Sequence, residues 1–405
     1  MGRQPPDQVA RDRNPLKLLH VVSSYLPAVR YGGTIVSVHG LCRALVDRGH
    51  DVHVYTTSVD GPRDSDVPHD QPVDIDGVKV WYFRSRQLRR LYWAPDLAKT
   101  LAVRVAEFDI VHTHAIYLWP LWAAARAARQ AHVPYVVSPR GMLERDLVDH
   151  KNPLLKGLWI AAIERHNLER ASAIHVTSDR EAAEAAAFGF KLPLVREIPN
   201  GVTLDNTAGQ PVSPAIDTLI NGDPYVLFLG RINWKKGLDR LIGALARVPA
   251  IRLVVAGNDE DNYRGVLDPI AARLGVSSRV VFTGSVHGAD KAALLAKARC
   301  LALPSYSENF GNVVIEAMAA GCPVIVSKDV GLAATVHAAG AGLVVDGDAD
   351  TLSAAMSRLL GDTVLRQEMG SRGRAVAHEC YSWPVVAAQM EDLYSALLSR
   401  PVGHA

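Results

Sequence analysis

The stretch Ser305–Ser327 reads SYSENFGNVVIEAMAAGCPVIVS and combines the signals of a loop, a helix and a buried strand. A helix pattern follows Gly311, ends at Gly321 and is blocked by Pro323. Val324–Val326 then has the composition of a short buried strand. Where a loop leads into a helix, free backbone N–H groups and the helix dipole favour an anion. The stretch therefore predicts an α/β unit with a ligand site at this helix start.

Two acidic side chains flank the predicted helix start. Glu308 lies in the loop, and Glu316 lies inside the helix, eight positions later. An acid just outside a helix start and another further in can both point into one cleft, where they would accept hydrogen bonds from polyhydroxyl groups. The alternative is an ordinary α/β helix that carries two solvated carboxylates.

This run resembles the E-x7-E signature of retaining, nucleotide-sugar-dependent glycosyltransferases of the GT-B type, family four in the usual classification. The resemblance extends to the Glu-x-Phe-Gly lead and to the tail Glu-Ala-Met-Ala-x-Gly-x-Pro-Val-Ile. It implies an α/β fold of two Rossmann-like parallel-sheet domains that face each other across a cleft. It also implies a C-terminal helix that crosses back to the N-terminal domain.

A second motif of the family follows the predicted strand Tyr225–Gly230. The string GRINWKKGLDRLI resembles the Gly-Arg-x4-Lys-Gly motif and places Arg231 at the strand exit and Lys236 before a helix. Two fixed cations and a helix start can stabilise the negative charge that develops on a departing diphosphate. The alternative is an Arg and a Lys on the surface of a strand–helix turn.

Bulk composition narrows the class of protein. The 405 residues are 48% hydrophobic, which suffices for two α/β domains with separate cores. The formal net charge of +2 gives no global reason to expect nucleic acid as a partner. The four cysteines are scattered without a Cys-x-x-Cys pair, which fits reduced thiols. With no signal-peptide pattern or bilayer-length apolar run, we expect a cytoplasmic protein.

The first half begins with a βαβ pattern. Leu16–Ser24 and Asp51–Thr57 have the composition of buried parallel strands, and the paired Gly32 and Gly33 precede the helix between them. Without a Cβ, these glycines let the backbone approach a ligand closely, although they could equally make a plain turn. The resemblance implies that their loop reaches toward the donor diphosphate.

Phe108–His114 predicts a strand that ends in a histidine. The C-terminal ends of parallel strands line the ligand crevice, and this segment resembles the family's Asp-x-x-His-x-His pattern. The resemblance implies that His114 contacts the donor sugar near the reacting carbon. His112 would pack deeper on the same strand.

The segment Ser138–Leu143 has a Ser-Pro-x-Gly-Met-Leu pattern that resembles bacterial polysaccharide glycosyltransferases. Those enzymes often carry histidine where this chain has Arg140. An arginine at this position could instead meet an anionic acceptor or a phosphate.

The stretch 58–76 is rich in Asp and Pro and predicts a surface loop, before a strand at Val78–Phe83. An arginine-rich run with aromatic neighbours follows. It could hold a lipid-diphosphate acceptor or rest peripherally on the inner face of the cytoplasmic membrane, or it could be a solvated helix face. The run comprises Arg84, Arg86, Arg89 and Arg90, beside Tyr92 and Trp93.

The resemblance implies roles for the remaining candidate residues. Arg231 and Lys236 would hold the diphosphate, Glu308 the donor sugar and Glu316 the ribose. Sugar or phosphate would meet the backbone amides of Asn309, Phe310, Gly311 and Asn312, and the nucleobase would lie near Gly257, Thr283 and Gly284. We expect neither a bound metal nor another cofactor besides the nucleoside-diphosphate sugar.

The expected domain order has a flexible tail at 1–15, an acceptor-side domain at 16–205, a linker at 206–222, a nucleotide-sugar domain at 223–383 and a crossover helix at 384–400. The expected activity is retaining transfer of a sugar to an acceptor hydroxyl, on a saccharide, a lipid-linked molecule or a small molecule, in polysaccharide or glycolipid assembly. Two alternatives are a nucleotide-sugar 2-epimerase of the same fold and a catalytically silent nucleotide-sugar-binding subunit.

Overall fold

The computed structural model describes residues 14–28, 32–143, 159, 163–204, 210–259 and 262–399. The chain divides into two compact units. The first unit contains residues 1–201 and 383–405, and the second contains residues 202–382. Each unit is built on a largely parallel sheet, which confirms the predicted α/β class.

The sheet of the first unit has eight strands in the order β10-β9-β8-β7-β1-β2-β6-β5. Only the edge strand β5 is antiparallel to its neighbour. The strands are β1 (Lys17–Ser24), β2 (Asp51–Thr57), β5 (Val73–Ile75), β6 (Val78–Phe83), β7 (Ile110–His114), β8 (Tyr135–Ser138), β9 (Ala173–Val176) and β10 (Leu194–Glu197). A separate antiparallel pair comprises β3 (Val59–Asp60) and β4 (Arg63–Asp64).

The inner strands of this sheet are buried along nearly their whole length, as in sheets covered on both faces. The helices of the first half are α1 (Gly33–Asp47), α2 (Pro95–Arg104), α3 (Trp119–Gln130), α4 (Arg165–Glu169) and α5 (Asp179–Ala187). They contribute to two apolar cores, one that contains α1 and one that contains α2 and α3.

The sheet of the second unit has six parallel strands in the order β13-β12-β11-β14-β15-β16. They are β11 (Tyr225–Leu229), β12 (Arg252–Ala256), β13 (Val280–Gly284), β14 (Cys300–Leu303), β15 (Val324–Ser327) and β16 (Gly342–Val345). In chain order this is 3-2-1-4-5-6, the doubly wound arrangement, in which ligands bind where the strand order reverses. That switch point lies between β11 and β14.

Helices of the second unit connect these parallel strands and continue beyond the last one. They are α6 (Pro214–Ile220), α7 (Leu238–Leu245), α8 (Arg264–Arg273), α9 (Gly288–Lys297), α10 (Asn312–Ala319), α11 (Ala333–Ala339), α12 (Ala349–Gly361) and α13 (Thr363–Tyr381). A single large apolar core includes β11, β12, β14 and β15, and partly buried side chains of β13 and β16 pack against it. The helix predicted from Ser305–Ser327 is therefore α10, between β14 and β15.

The last helix, α14 (Trp383–Leu398), belongs to the first unit, as the predicted return to the N-terminal domain requires. The Trp383 ring packs so closely on Gly40 and Gly201 that a Cβ at either glycine would overlap it. Further along the helix, the buried carboxylate of Glu391 accepts hydrogen bonds from Arg48 and His50. Packing and buried polar contacts together hold α14 on this unit.

The structure places a helix inside the predicted linker. Residues 214–220 form α6, and the apolar side chains of Ile216 and Leu219 join the core of the second unit. The polar composition of 206–222 concealed the two apolar positions that anchor this short helix. Residues 1–13 of the predicted tail, residue 205 at the end of the predicted acceptor-side domain, and residues 206–209 of the predicted linker lie outside the described residues.

Candidate functional site

Lys236 and Glu308, both predicted site residues, meet at the switch point of the second unit. Lys236 lies in the turn after β11, and Glu308 lies in the loop after β14. The Lys236 ammonium donates to the Glu308 carboxylate and forms an ion pair with it. Since 18% of each side chain is exposed, the pair is largely enclosed yet accessible to a ligand.

A glycine positions the Lys236 turn. Gly237 has a φ of 67°, and a Cβ there would overlap the carbonyl oxygen of Pro304. The absence of a side chain thus lets this turn lie directly against the end of β14. The Tyr306 N–H also donates to the Lys235 carbonyl at 2.7 Å, which ties the same two loops together.

The backbone of Glu308 is held from both directions. Its N–H donates to the Asp329 carbonyl at 3.1 Å, and its own carbonyl accepts from the Gly331 N–H at 2.8 Å. A Cβ on Gly331 would overlap the Asn309 carbonyl, so the two segments are in direct contact. These contacts fix the backbone from which the Glu308 carboxylate extends.

The start of α10 presents backbone donors beside this carboxylate. Gly311 precedes the helix in the left-handed conformation, with a φ of 95°. Among the described residues, the N–H groups of Phe310 and Gly311 have no backbone acceptor. The side chain of Phe310 packs near Tyr381, at 6.2 Å between ring centroids, while Asn309 and Asn312 are half-buried. These two N–H groups therefore lie at a helix start that favours anions.

Glu316 has a partner that the sequence did not indicate. Its carboxylate lies 3.1 Å from the Lys291 ammonium on α9, and 23% of the Glu316 side chain is exposed. Nothing in the spacing of residues marks Lys291, because α9 and α10 become neighbours only through the fold. The pair leaves Glu316 able to accept a further hydrogen bond.

Arg231 is exposed in the loop after β11. This loop pairs with the loop after β12, where Ile232 N–H donates to the Asn258 carbonyl at 2.8 Å. Gly257 has no room for a side chain, since a Cβ would overlap the Gly230 carbonyl. The structure therefore brings Gly257 beside Arg231.

The other residues predicted near a nucleobase lie at the end of β13. The Gly257 N–H donates to the Gly284 carbonyl at 2.8 Å, and the Thr283 hydroxyl donates to the same oxygen at 3.0 Å. The structure thus groups Gly257, Thr283 and Gly284 at one edge of the second sheet.

The first unit has a switch point of its own, between β1 and β7, and there His114 contacts His20. The Nε2 of His114 lies 2.8 Å from the Nδ1 of His20, and both residues are fully buried. The Nδ1 of His114 lies 3.1 Å from the Arg140 guanidinium. Both ring nitrogens of His114 thus have partners within the unit, so neither is left to form a hydrogen bond with a sugar.

The identity of these groups fixes the direction of the hydrogen bonds. An arginine can only donate, so His114 accepts at Nδ1 and carries its proton on Nε2. His114 then donates to His20, whose remaining proton lies on Nε2. That nitrogen is buried and has no described partner.

A second chain of bonds runs beside the first. The His175 Nε2 lies 2.8 Å from the Ile198 carbonyl, which can only accept. His175 therefore accepts from the Ser138 hydroxyl at 2.6 Å, Ser138 accepts from His112 at 2.7 Å, and His112 accepts from the Tyr394 hydroxyl at 2.7 Å. Every histidine in both chains is neutral.

Electrostatics agrees with this assignment. Burial, together with the nearby Arg140 charge, lowers the pKa of His20 and of His175 to about 3. Burial and neighbouring histidines also hold the pKa of His112 and His114 well below the usual range. The network is uncharged at neutral pH apart from the Arg140 guanidinium.

His20, His112 and His114 offer ring nitrogens within 4.8 Å of one another, a spacing that could hold a metal ion. The local chemistry disfavours a cation there. Both nitrogens of His112 already bond to hydroxyl groups, and the Arg140 charge adjoins His114. A metal would have to displace these bonds beside a fixed positive charge.

The remaining candidates of the first unit lie at its loops. Gly32 directly precedes α1 with a φ of 79°, and Gly33 is exposed as the first residue of that helix. In the arginine run, Arg89 is tied to Asp64 at 2.7 Å and to backbone carbonyls, so it does not belong to a solvated face. Arg84 and Arg86 instead line a cavity of about 820 Å³.

Two doubly wound units, one of them with a charged site at its switch point, define a Rossmann-type enzyme architecture. Residues 213–376 match the family of "Glycosyl transferases group 1", and residues 32–201 match the "Glycosyl transferase 4-like domain". A D-inositol 3-phosphate glycosyltransferase of Xylanimonas cellulosilytica is 32% identical over 91% of this chain and 93% of its own length. The chain belongs to the group 1 glycosyltransferases, of the family-four type, and is a glycosyltransferase.

Solved structures support the same conclusion at the level of the fold. Sucrose-phosphate synthase from Thermosynechococcus elongatus superposes with a TM-score of 0.75 at 25% identity, over 95% of this chain and 99% of the other. The Anabaena protein Alr3699/HepE, in complex with UDP and glucose, has a TM-score of 0.74 at 22% identity, over 94% and 100%. The predicted GT-B fold is confirmed. Within the described part of the chain, every helix is too short or too polar to cross a membrane.

Proposed function

We propose that this glycosyltransferase moves a sugar from a nucleoside-diphosphate sugar to an acceptor hydroxyl with retention of the anomeric configuration, in polysaccharide or glycolipid assembly. The observation that carries the proposal is the Lys236–Glu308 pair at the switch point of the second unit. A cation suited to phosphate and an acid suited to hydroxyl groups are held there side by side. Arg231 and the start of α10 belong to the same edge of the sheet.

Donor binding would exchange the partners of this pair. The diphosphate takes the Lys236 ammonium and the Arg231 guanidinium, and the sugar hydroxyls donate to the released Glu308 carboxylate. Lys236 and Glu308 thus neutralise each other until the donor binds, which lowers the cost of holding both charges ready for it. When the bond from the sugar to the diphosphate breaks, both cations stabilise the negative charge that remains on the diphosphate.

Retention follows if departure and attack occur on the same face of the sugar. The bond between the anomeric carbon and the phosphate oxygen breaks, and the acceptor oxygen bonds to that carbon. The acceptor's proton passes to the departing phosphate, so the chain need not supply a separate base. The double-displacement scheme of glycosidases, with its paired carboxylates, is not invoked for Glu308 and Glu316.

The other residues around this site position the donor. Glu316, oriented by Lys291, accepts from the ribose hydroxyls, and the backbone N–H groups near Gly311 hold sugar or phosphate oxygens. The nucleobase lies near the exposed edge formed by Gly257 and Gly284.

The relatives suggest which donor and acceptor to test first. UDP and glucose are named with the Anabaena structure, and D-inositol 3-phosphate is named with the relative from Xylanimonas. We therefore begin with UDP-sugars, followed by GDP- and ADP-sugars, in chelator-treated buffer. Transfer that persists in EDTA is expected, since two fixed cations take the place of a metal at the diphosphate.

The test is product analysis by NMR with each donor, in the presence and absence of acceptor. A new glycosidic linkage with the donor's anomeric configuration is the expected result. Inversion would contradict the proposed retention. Isomerisation of the donor sugar without acceptor would favour the 2-epimerase alternative. Nucleotide binding without any turnover across the acceptor panel would favour the silent binding subunit.

A further inference from the structure

Arg140, in the turn after β8, carries a largely enclosed charge. Its Nη1 donates to the Asn200 side-chain oxygen at 2.6 Å, and its Nη2 donates to the His114 Nδ1 at 3.1 Å. Its Nε is buried without a hydrogen-bond partner. Both partners are neutral, and among the described residues no carboxylate forms an ion pair with this guanidinium.

The carboxylate with the largest electrostatic effect on Arg140 is already committed elsewhere. Burial lowers the pKa of Arg140, and the buried carboxylate of Glu181 partly opposes that shift. One Glu181 oxygen accepts from the Gly141 N–H at 2.6 Å, and the other accepts from the N–H and hydroxyl of Thr177 at 2.7 and 2.9 Å. Glu181 therefore fixes the turn that carries Arg140 but does not contact its charge.

The backbone at Arg140 is strained in addition. Its φ is 57°, in the left-handed region that side chains other than glycine and asparagine rarely adopt. Such conformations persist where surrounding contacts enforce them, and they concentrate at ligand sites. A strained residue with an enclosed charge and an unused donor is the arrangement expected where an anion is to be bound.

We propose that Arg140 binds an anionic group, a phosphate or a carboxylate, carried by the acceptor. The inference rests on the proposed function, because it names the acceptor class for the same reaction. The donor diphosphate has its own cations, Arg231 and Lys236, in the second unit. Arg140 instead lies at the carboxyl ends of the strands of the first unit, one strand from its switch point.

This assignment gives His114 a positioning role in place of the predicted sugar contact. By accepting from the guanidinium through Nδ1, His114 holds Arg140 against the end of β7, and its own ring is held by His20. Asn200 holds the other branch of the guanidinium. These two fixed partners set the orientation of the guanidinium plane and so of its remaining N–H groups. A guanidinium held in this way can form paired hydrogen bonds with a phosphate or a carboxylate.

The test measures binding of three probes to the full chain by calorimetry: glucose 6-phosphate, glucuronate and glucose. Saturating UDP is present, so that the cations proposed to hold the donor diphosphate are occupied. The variants are Arg140→Gln, Arg140→Lys and His114→Asn. Arg43→Gln is the control, because Arg43 is an exposed arginine of the same unit.

We expect the wild type to bind at least one anionic probe about tenfold or more tightly than glucose, as charge-assisted hydrogen bonds to a guanidinium require. Arg140→Gln should abolish this preference, and Arg140→Lys should keep the fold and only part of the preference. His114→Asn should reduce the preference without changing glucose binding. The difference between glucose 6-phosphate and glucuronate identifies the anion.

Equal binding of all three probes to the wild type, with UDP bound normally, would overturn the inference and leave the proposed function standing. An unchanged preference in Arg140→Gln would do the same. Weaker UDP binding in Arg140→Gln would assign the guanidinium to the donor and overturn the acceptor assignment. If no nucleotide bound to the folded wild type, the proposed function itself would fail, and this inference with it.

Discussion

Lys236 and Glu308 lie 72 residues apart in the chain, yet their side chains form an ion pair where β11 and β14 end. The pair joins the two family motifs into one site at the switch point of the second unit. Within the pair, each side chain neutralises the charge of the other. When a nucleotide-sugar binds, its phosphate would pair with Lys236 and its sugar hydroxyls with Glu308. The contact is then replaced without leaving an unpaired charge.

Lys236→Met should lower kcat/KM for transfer by about 100-fold or more, the usual cost of removing one group that stabilises charge in a transition state. The free energy of unfolding should fall by only about 1 kcal/mol, because the lost ion pair is partly solvated. Lys235→Met is the matched control, since that neighbouring ammonium lies over the Trp234 ring at 5.8 Å. Steady-state kinetics that showed equal losses for the two variants would remove Lys236 from the site.

Gly237→Ala should destabilise the protein by about 2–4 kcal/mol, because it combines an unfavourable left-handed backbone with overpacking against the Pro304 carbonyl. Gly265→Ala is the contrasting variant. Gly265 lies in α8 with no other atom near the position of a Cβ, so alanine there should stabilise the protein by up to about 1 kcal/mol. Urea denaturation of both variants measures the difference, and a mild effect of Gly237→Ala would contradict the described turn.

Stability should fall steeply as the pH drops below about 6.5. The folded-state pKa of His20 and of His175 is depressed to about 3, so these rings stay neutral in the folded protein. The unfolded chain takes up protons near its ordinary histidine pKa of about 6.5 and is favoured between these two values. At pH 5.5, one unit below the unfolded-state value, each of these histidines should have lowered the free energy of unfolding of the protein by about 1.4 kcal/mol.

Thermal unfolding from pH 7.5 to 5.5 checks this prediction. His175→Gln should unfold at a temperature that depends less on pH, because one buried neutral ring has been removed. His132→Gln, at an exposed position of the same unit, is the control and should keep the wild-type slope. A stability that does not change over this range would contradict a buried neutral network.

Removal of the Glu391 carboxylate should cost about 3 kcal/mol, since Glu391→Ala leaves Arg48 facing a buried site without its charged partner. Asp392→Asn alters the next residue, which is exposed, and should cost much less. Urea denaturation distinguishes the two variants. Equal, small effects would mean that α14 is held on the first unit by the packing of Trp383 alone.

The strands were predictable because buried parallel strands are continuous apolar runs. Asp51–Thr57 and Val78–Phe83 coincide with β2 and β6. The edge strand Val73–Ile75 was not predicted, and its stretch was interpreted as a surface loop. That strand is only three residues long, and it forms through pairing with β6 rather than through its own composition.

The candidate site was predictable only as far as local motifs reach. The sequence indicated Lys236 and Glu308 through their resemblance to two family motifs, but it could not show that their side chains touch. It gave no sign of Lys291 beside Glu316, nor of His20 beside His114, 94 residues away. Such contacts depend on strand order and on the direction of each side chain, which local spacing does not encode.

The most direct measurement for the central claim is a thermal-shift titration of the full chain with UDP, GDP and ADP, without metal, in wild type and in Arg231→Ala. A ligand that binds only the folded state stabilises it and so raises the melting temperature. At a ligand concentration of 100 times Kd, the stabilisation is about 2.7 kcal/mol. Arg273→Ala, at an exposed arginine of the same unit, is the control. The account predicts that one nucleotide gives a clear shift in wild type and control, and that Arg231→Ala loses it. An unchanged shift in Arg231→Ala, or no shift with any nucleotide, would contradict a nucleotide-sugar site at the switch point of the second unit.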